Sequence, residues 1–208
     1  MTAEGRLLLR DVDWATYEDL LEQFEDSHVF MTYDHGRLEI TSPSYRHDRS
    51  KSLIARLIEV MVFEMNIEVE PCGSVTLRRE SISFGLEPDE CYYIANFEQI
   101  WEFKDELDLE KLPSPDLAVE VEVTHSSVGR LPVYAGLGVP EIWRYDRKTR
   151  SIRFLHLTGE GEYVELEASK AFPFLTSHDF QRFLNMQGKV KPNRLIRQFQ
   201  DWLQQRKK

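Results

Sequence analysis

The chain has no long apolar run, very little cysteine and no surplus of positive charge, and each shortage removes a class of protein. No stretch approaches the roughly 20 apolar residues that a membrane helix needs. The opening residues, MTAEGRLLLRDVDW, lack the apolar core and small-residue cleavage site of a secretory leader. The protein therefore reads as cytoplasmic, with no membrane partner. Its two cysteines, Cys72 and Cys91, form no C-x-x-C or zinc spacing, which argues against a disulfide scaffold and a thiolate metal site. They read as buried free thiols. His28, His35, His156 and His178 fall on unrelated elements, without zinc spacing. Neither a phosphate-cradling G-x-x-x-x-G-K-[ST] loop nor a G-x-G-x-x-G turn is present. A net charge of −10 speaks against binding a polyanion over the whole surface. The exception is residues 189–208, KVKPNRLIRQFQDWLQQRKK, with seven Lys or Arg against one Asp. Such a basic tail can dock on the acidic body, stay solvated or touch phosphate.

What the chain does have is material for one core: 41% hydrophobic and 12% aromatic residues over 208 positions. Trp14, Tyr17, Leu20, Leu21 and Phe24 recur at helical spacing. HVFMTYDHGRLEITSPS predicts a hairpin around DHG, with Gly36 free to take positive φ. The strongest helix, about 46–65, carries the stripe Leu53, Ile54, Leu57, Ile58, Met61, Val62 and Met65. Strands follow on either side of PCGS, then a loop and a short strand near 90–94. The charged segment 96–111 reads as a helix or a surface excursion. SPDLAVEVEV is a strand, and HSSVGRLPVYAGLG is a helix closed by Gly136 or Gly138. VPEIWRYD, SIRFLHL and GEYVELE are strands. A short helix capped by Thr176 or Ser177 and an amphipathic helix near 192–205 complete the chain. This order implies an α/β (α+β) fold with a mixed central β-sheet flanked by helices.

The stretch PDLAVEVEV, 115–123, carries the chemistry. Side chains alternate along a strand, so Asp116, Ala118, Glu120 and Glu122 share one face, and Leu117, Val119, Val121 and Val123 the other. Carboxylates at i and i+2 stand roughly 6–7 Å apart. They either face water or hold something. A second acidic position, Asp89 in GLEPDECYYI, precedes a short strand, where turn chemistry is the simpler reading. Carboxylates at the start of one strand and on its neighbour can together hold Mg²⁺, an ion that prefers oxygen ligands.

The pieces HGRLEITSPSYRHD, LEPDECYYI, PDLAVEVEVTHSS and YAGLGVPEIWRYD together resemble the Uma-two family of restriction-endonuclease-like proteins, within the PD-(D/E)xK nuclease superfamily. The resemblance spans roughly 14–185. It implies a single restriction-endonuclease-like domain over 1–188, with 189–208 as an appended basic amphipathic helix. It also implies hydrolysis of DNA phosphodiester bonds with Mg²⁺ or Mn²⁺, and a homodimer is expected. On this resemblance Asp89 is the first acidic residue and Glu120 the second. Glu122 stands where the superfamily often has lysine, and becomes a third metal ligand or a water-orienting base. His47 matches the histidine at the start of the long helix. Arg130 falls near the lysine of the following helix; arginine cannot accept a proton, but it can bind phosphate. His47 and Arg130 are thus expected to meet the scissile phosphate or the attacking water. Glu39, on the hairpin, is a further candidate carboxylate. The missing lysine leaves an alternative open, a catalytically weakened or inactive binding module on the same fold. His125, Ser126 and Ser127 suggest a nucleophile only weakly, since no acidic residue to orient the histidine can be argued. Trp143 reads as core rather than as a base-stacking platform.

Overall fold

The computed structural model describes residues 5–102, 107–122 and 127–206. Its elements are β1 (Gly5–Leu9), α1 (Trp14–Gln23), β2 (Phe30–Asp34), β3 (Arg37–Ser42), α2 (Tyr45–Met65), β4 (Glu70–Gly73), β5 (Leu77–Arg79), β6 (Phe84–Leu86), β7 (Glu90–Tyr93), α3 (Phe97–Trp101), β8 (Leu117–Glu122), α4 (Arg130–Leu137), β9 (Glu141–Asp146), β10 (Ser151–Leu157), β11 (Tyr163–Leu166), α5 (Ser177–Leu184) and α6 (Pro192–Arg206). A short 3-10 turn, Glu80–Ile82, precedes β6.

Local chemistry sets these boundaries. Asp13 caps α1 by accepting from the Thr16 N–H at 2.8 Å. Ser44 caps α2, and Asn66 ends it in the left-handed region at φ 53°. The β2–β3 hairpin turns through His35 and Gly36, at φ 46° and 84°, the paired positive angles that match the twist of flanking strands. Thr176 caps α5.

The strands form two sheets. A mixed six-stranded sheet runs β11-β10-β9-β8-β7-β4, with β8 and β9 parallel. This is the central sheet anticipated above. A five-stranded antiparallel sheet, β1-β3-β2-β6-β5, is additional. The segments flanking PCGS do become strands, but they part company: β4 joins the larger sheet and β5 the smaller. A register irregularity between Pro71 and Gly73, with Gly73 at φ 59°, turns the chain there.

One face of the large sheet packs Leu117, Val119, Val121, Trp143 and Phe154 against the apolar sides of α2, α5 and α6. Trp143 is fully buried and stacks on Phe154, as expected of a core residue. Leu195, Ile196, Phe199 and Leu203 of α6 are buried in the same core, so the C-terminal helix docks on the body. The opposite face packs Ala118, Ile142 and Leu155 against Val133, Tyr134 and Leu137 of α4 and against Leu77 and Leu86 of the small sheet. The alternation read along 117–122 is therefore a division between two cores, not between core and water. Cys91 is buried and Cys72 half-buried, both as free thiols. Among the described residues, no helix is long and apolar enough to cross a membrane.

Candidate active site

Two adjacent strands bring the predicted carboxylates together. Asp89 ends the turn into β7, and its N–H donates to the Val119 carbonyl of β8 at 3.2 Å. Its side chain extends the ladder: Oδ2 accepts the Val121 N–H at 2.6 Å. The turn-forming role and the placement beside β8 are thus one feature. Asp89 is buried, and so is His47. The first turn of α2 lays the His47 ring against it, with Nε2 at 3.0 Å from Oδ1 and 3.1 Å from Oδ2. His47 Nδ1 lies 3.3 Å from Asp48 Oδ1. Burial alone would lower the His47 pKa. The hydrogen bonds and negative charges of Asp89 and Asp48 outweigh it and raise the pKa to about 9. The shift favours the imidazolium form in the metal-free protein, in which both ring nitrogens donate to carboxylates. His47 touches Asp89 directly, and we assign it the positioning of that carboxylate.

Glu120 projects from β8 toward α4. Arg130, the first residue of α4, donates to Glu120 Oε1 at 2.6 Å. The same guanidinium reaches Thr32 Oγ1 of β2 at 2.6 Å and the Glu87 carbonyl at 2.7 Å. It thereby ties the small sheet to the carboxylate. Its Nε is buried with no acceptor among the described residues. One helical turn on, the Tyr134 hydroxyl also donates to Glu120. Burial raises the pKa of Glu120, Arg130 opposes that, and the nearby charge of Asp89 adds to it. Burial and the Glu120 charge hold Tyr134 well above its usual pKa, so its hydroxyl stays a donor.

Glu122, two residues along the same face, forms an ion pair with Arg144 of β9. The parallel register that sets Glu120 opposite Arg144 puts that guanidinium within reach. Glu120, Glu122, Arg130, Tyr134 and Arg144 line a cavity of about 270 Å³ at the start of α4. A larger one, about 520 Å³, lies elsewhere, between α1 and the small sheet.

The remaining expectations fall as follows. Asp116 shares the strand face in sequence, but it accepts from the Ile94 and Asn96 N–H groups at 2.7 and 3.1 Å and so anchors the turn after β7. Glu39 is buried on β3. It accepts the Ser127 N–H at 2.6 Å and lies 3.7 Å from Arg6. With Arg37, which donates to the Ser127 carbonyl at 3.0 Å, Glu39 clamps the approach to α4. His125 and Ser126 lie outside the described residues. Sequence reasoning missed Tyr134, Arg144 and Thr32 as members of the site. Tyr134 was findable, since it sits four residues after Arg130 on one helix face.

Asp89 and Glu120 are the residues that could take part in holding a divalent cation. Among the described residues, no group of three or more His, Cys, Asp or Glu side chains could hold a metal alone. Two acidic groups on neighbouring strands remain, Asp89 and Glu120, and the charge of Asp89 adds to the raised pKa of Glu120. Mg²⁺ suits such a pair, because it is commonly held by one or two carboxylates with water and substrate phosphate completing its shell.

The Uma2 family model, described as “Putative restriction endonuclease”, matches residues 14–187. No curated protein matches the chain. Among solved structures, a “putative nuclease belonging to DUF820” from Anabaena variabilis ATCC 29413 aligns over 74% of this chain and 90% of that chain, with a TM-score of 0.52 and 16% identity. At that identity the likeness speaks for a shared fold. The family match covers both strands of the site, the helix carrying His47 and the helix carrying Arg130, and by it the chain belongs to the Uma2 family.

Proposed function

We propose that this protein is a metal-dependent endonuclease that hydrolyses DNA phosphodiester bonds with Mg²⁺ or Mn²⁺. The observation that carries the reading is that Asp89 accepts the Val121 N–H of β8, so that its charge bears on Glu120, the next residue back, while Glu120 lines a cavity with Arg130 and Arg144. Asp89 and Glu120 would hold the cation, with Glu122 as a third carboxylate once Arg144 leaves it. A divalent ion there would lower the pKa of bound water and offset charge on the phosphoryl oxygens. Arg130 would bind the scissile phosphate. Its buried Nε, with no acceptor among the described residues, leaves it a donor to offer, and guanidinium geometry matches phosphate oxygens. Tyr134, neutral at working pH, would orient Glu120. His47, positively charged, would fix the Asp89 carboxylate.

The site's charges suggest a sequence of partners. Glu120 and Glu122 are each bonded to an arginine. A cation competes for the carboxylates and a phosphate for the guanidiniums, so each ligand releases the group the other needs. Metal and phosphate should therefore bind cooperatively, and reciprocally. A homodimer belongs to the same proposal. The apolar side of α6 is already buried, which leaves exposed sheet edges, β1 with Leu7 and β11 with Val164, as candidate seams. Sedimentation equilibrium reads the oligomeric state directly.

The test is cleavage of supercoiled and linear duplex DNA with Mg²⁺, with Mn²⁺ and with chelator. The reading expects metal-dependent nicking that Glu120→Gln reduces by at least 100-fold. A second reading, a binding module with weakened chemistry, draws on one observation: a glutamate paired with arginine occupies the usual lysine position. It expects metal-independent DNA binding and no cleavage with either ion. Failure to bind or cut DNA would reject the nuclease and a nucleic-acid-binding module alike, and leave a protein-binding module on the same fold.

A further inference from the structure

The N-terminal halves of α2 and α6 lie side by side. Gln187 Nε2 donates to the Arg49 carbonyl at 2.8 Å, and Arg56 donates to Asn193 Oδ1 at 3.1 Å. Further along, Glu64 of α2 accepts from Gln200 of α6 at 3.0 Å. The contacts advance together, so the helices run parallel and their positive dipole ends sit at the same end. That end carries exposed Arg49, Arg56, Lys189, Lys191 and Arg194. None of these five forms an ion pair with a described residue. On a chain of net charge −10, five cations on one surface, without an ion pair among the described residues, are a marked asymmetry. Their cost is mutual repulsion, which an anionic partner would relieve.

We infer that this paired-helix surface is a second contact for duplex DNA, gripping its phosphates away from the carboxylate site. The inference rests on DNA being the substrate. Polar Ser52 and Asn193 share the surface, and such side chains commonly join Lys and Arg on phosphates. Tyr45 and Phe63 are exposed on α2 to either side of this stretch, but between Arg49 and Arg56 the exposed positions of the helix are Ser and Arg alone, not the continuous apolar face that membrane binding requires. The seven residue steps from Arg49 to Arg56 rise about 10 Å along α2. That is about three steps of a DNA strand at 3.4 Å each. The surface shares α2 with His47, so one rigid helix links the grip to the Asp89 end of the site.

The experiment is fluorescence anisotropy of a labelled, non-specific duplex without divalent metal, at several salt concentrations. It compares wild type, Arg49→Glu/Lys191→Glu, and the control Arg10→Glu/Lys170→Glu, which makes the same charge change at exposed positions elsewhere. The inference expects at least tenfold weaker binding for the first variant only. Its slope of log affinity against log salt should fall by about 2. Hydrolysis of a small phosphodiester ester should be unchanged. Equal losses in both variants would mean that net charge alone is at work and would overturn the inference, as would no loss in either. If wild type binds no DNA either in this buffer or with Ca²⁺ added, the DNA reading of the site falls too. If wild type binds and the helix variant does not differ from it, only the paired-helix surface is rejected.

Discussion

Each acidic residue of the site has a basic partner of its own: His47 with Asp89, Arg130 with Glu120, Arg144 with Glu122. These partners are not interchangeable. Arg130 bonds Thr32, the Glu87 carbonyl and Glu120 from one planar fork, which a lysine ammonium cannot reproduce. Arg130→Lys should therefore lower DNA cleavage by about 100-fold while the protein remains folded, as read by kcat and by thermal melting of one preparation. His47 gives a pH signature. Its pKa is about 9 in the folded chain against an ordinary 6.5. Below about 6.5 both folded and unfolded chains hold the proton, and its full stabilisation is present. As pH rises toward 9 the unfolded chain gives up its proton first, and the contribution is lost through the folded pKa. In metal-free buffer the wild-type Tm should fall between pH 7 and 9.5 by more than that of His47→Gln. Parallel pH profiles for the two proteins would contradict the assignment. His47→Ala, which strips a buried carboxylate of its partner, should cost about 3 kcal/mol in denaturant unfolding.

At the scale of elements, α4 is the delicate part. It carries Arg130 and Tyr134, and its approach is clamped by Glu39 and Arg37 of β3. Gly138 closes it in the left-handed region. Gly136 has a different duty: a methyl group there would overlap the Phe84 ring of β6. Gly136→Ala should cost about 1–3 kcal/mol through overpacking, read as a lowered Tm, and should lower cleavage by shifting Arg130. Much at this scale was legible in the sequence. The α2 stripe, the DHG hairpin, β8, and the cap and apolar face of α5 and α6 all announce themselves by period or turn chemistry. What stayed hidden depended on distant pairing. β6 has three residues, too few for a period, and it exists because β2 and β5 flank it. The pairing of Glu122 with Arg144 follows from a parallel register between strands some twenty residues apart, which spacing along the chain does not encode. Alternation in VEVEV was plain, but it equally fits a strand with one wet face. The two-core sandwich decides between them.

For the whole molecule, the two sheets and α4 meet at Arg130, so the site joins two separately formed layers. The small sheet supplies Thr32, Glu39 and the approach to Glu87, while the large sheet supplies the carboxylates. Family membership and fold follow from the chain as a whole; the chemistry rests on whether Asp89 and Glu120 act on one ion. The most direct measurement is a calorimetric titration of Mn²⁺ into wild type, Asp89→Asn and Glu120→Gln, each with and without a non-cleavable DNA duplex. The account predicts one Mn²⁺ per chain in wild type, bound more tightly when DNA is present, and at least tenfold weaker binding in each folded variant. Equal affinity in all three proteins, or no Mn²⁺ binding by wild type with DNA present, would contradict it.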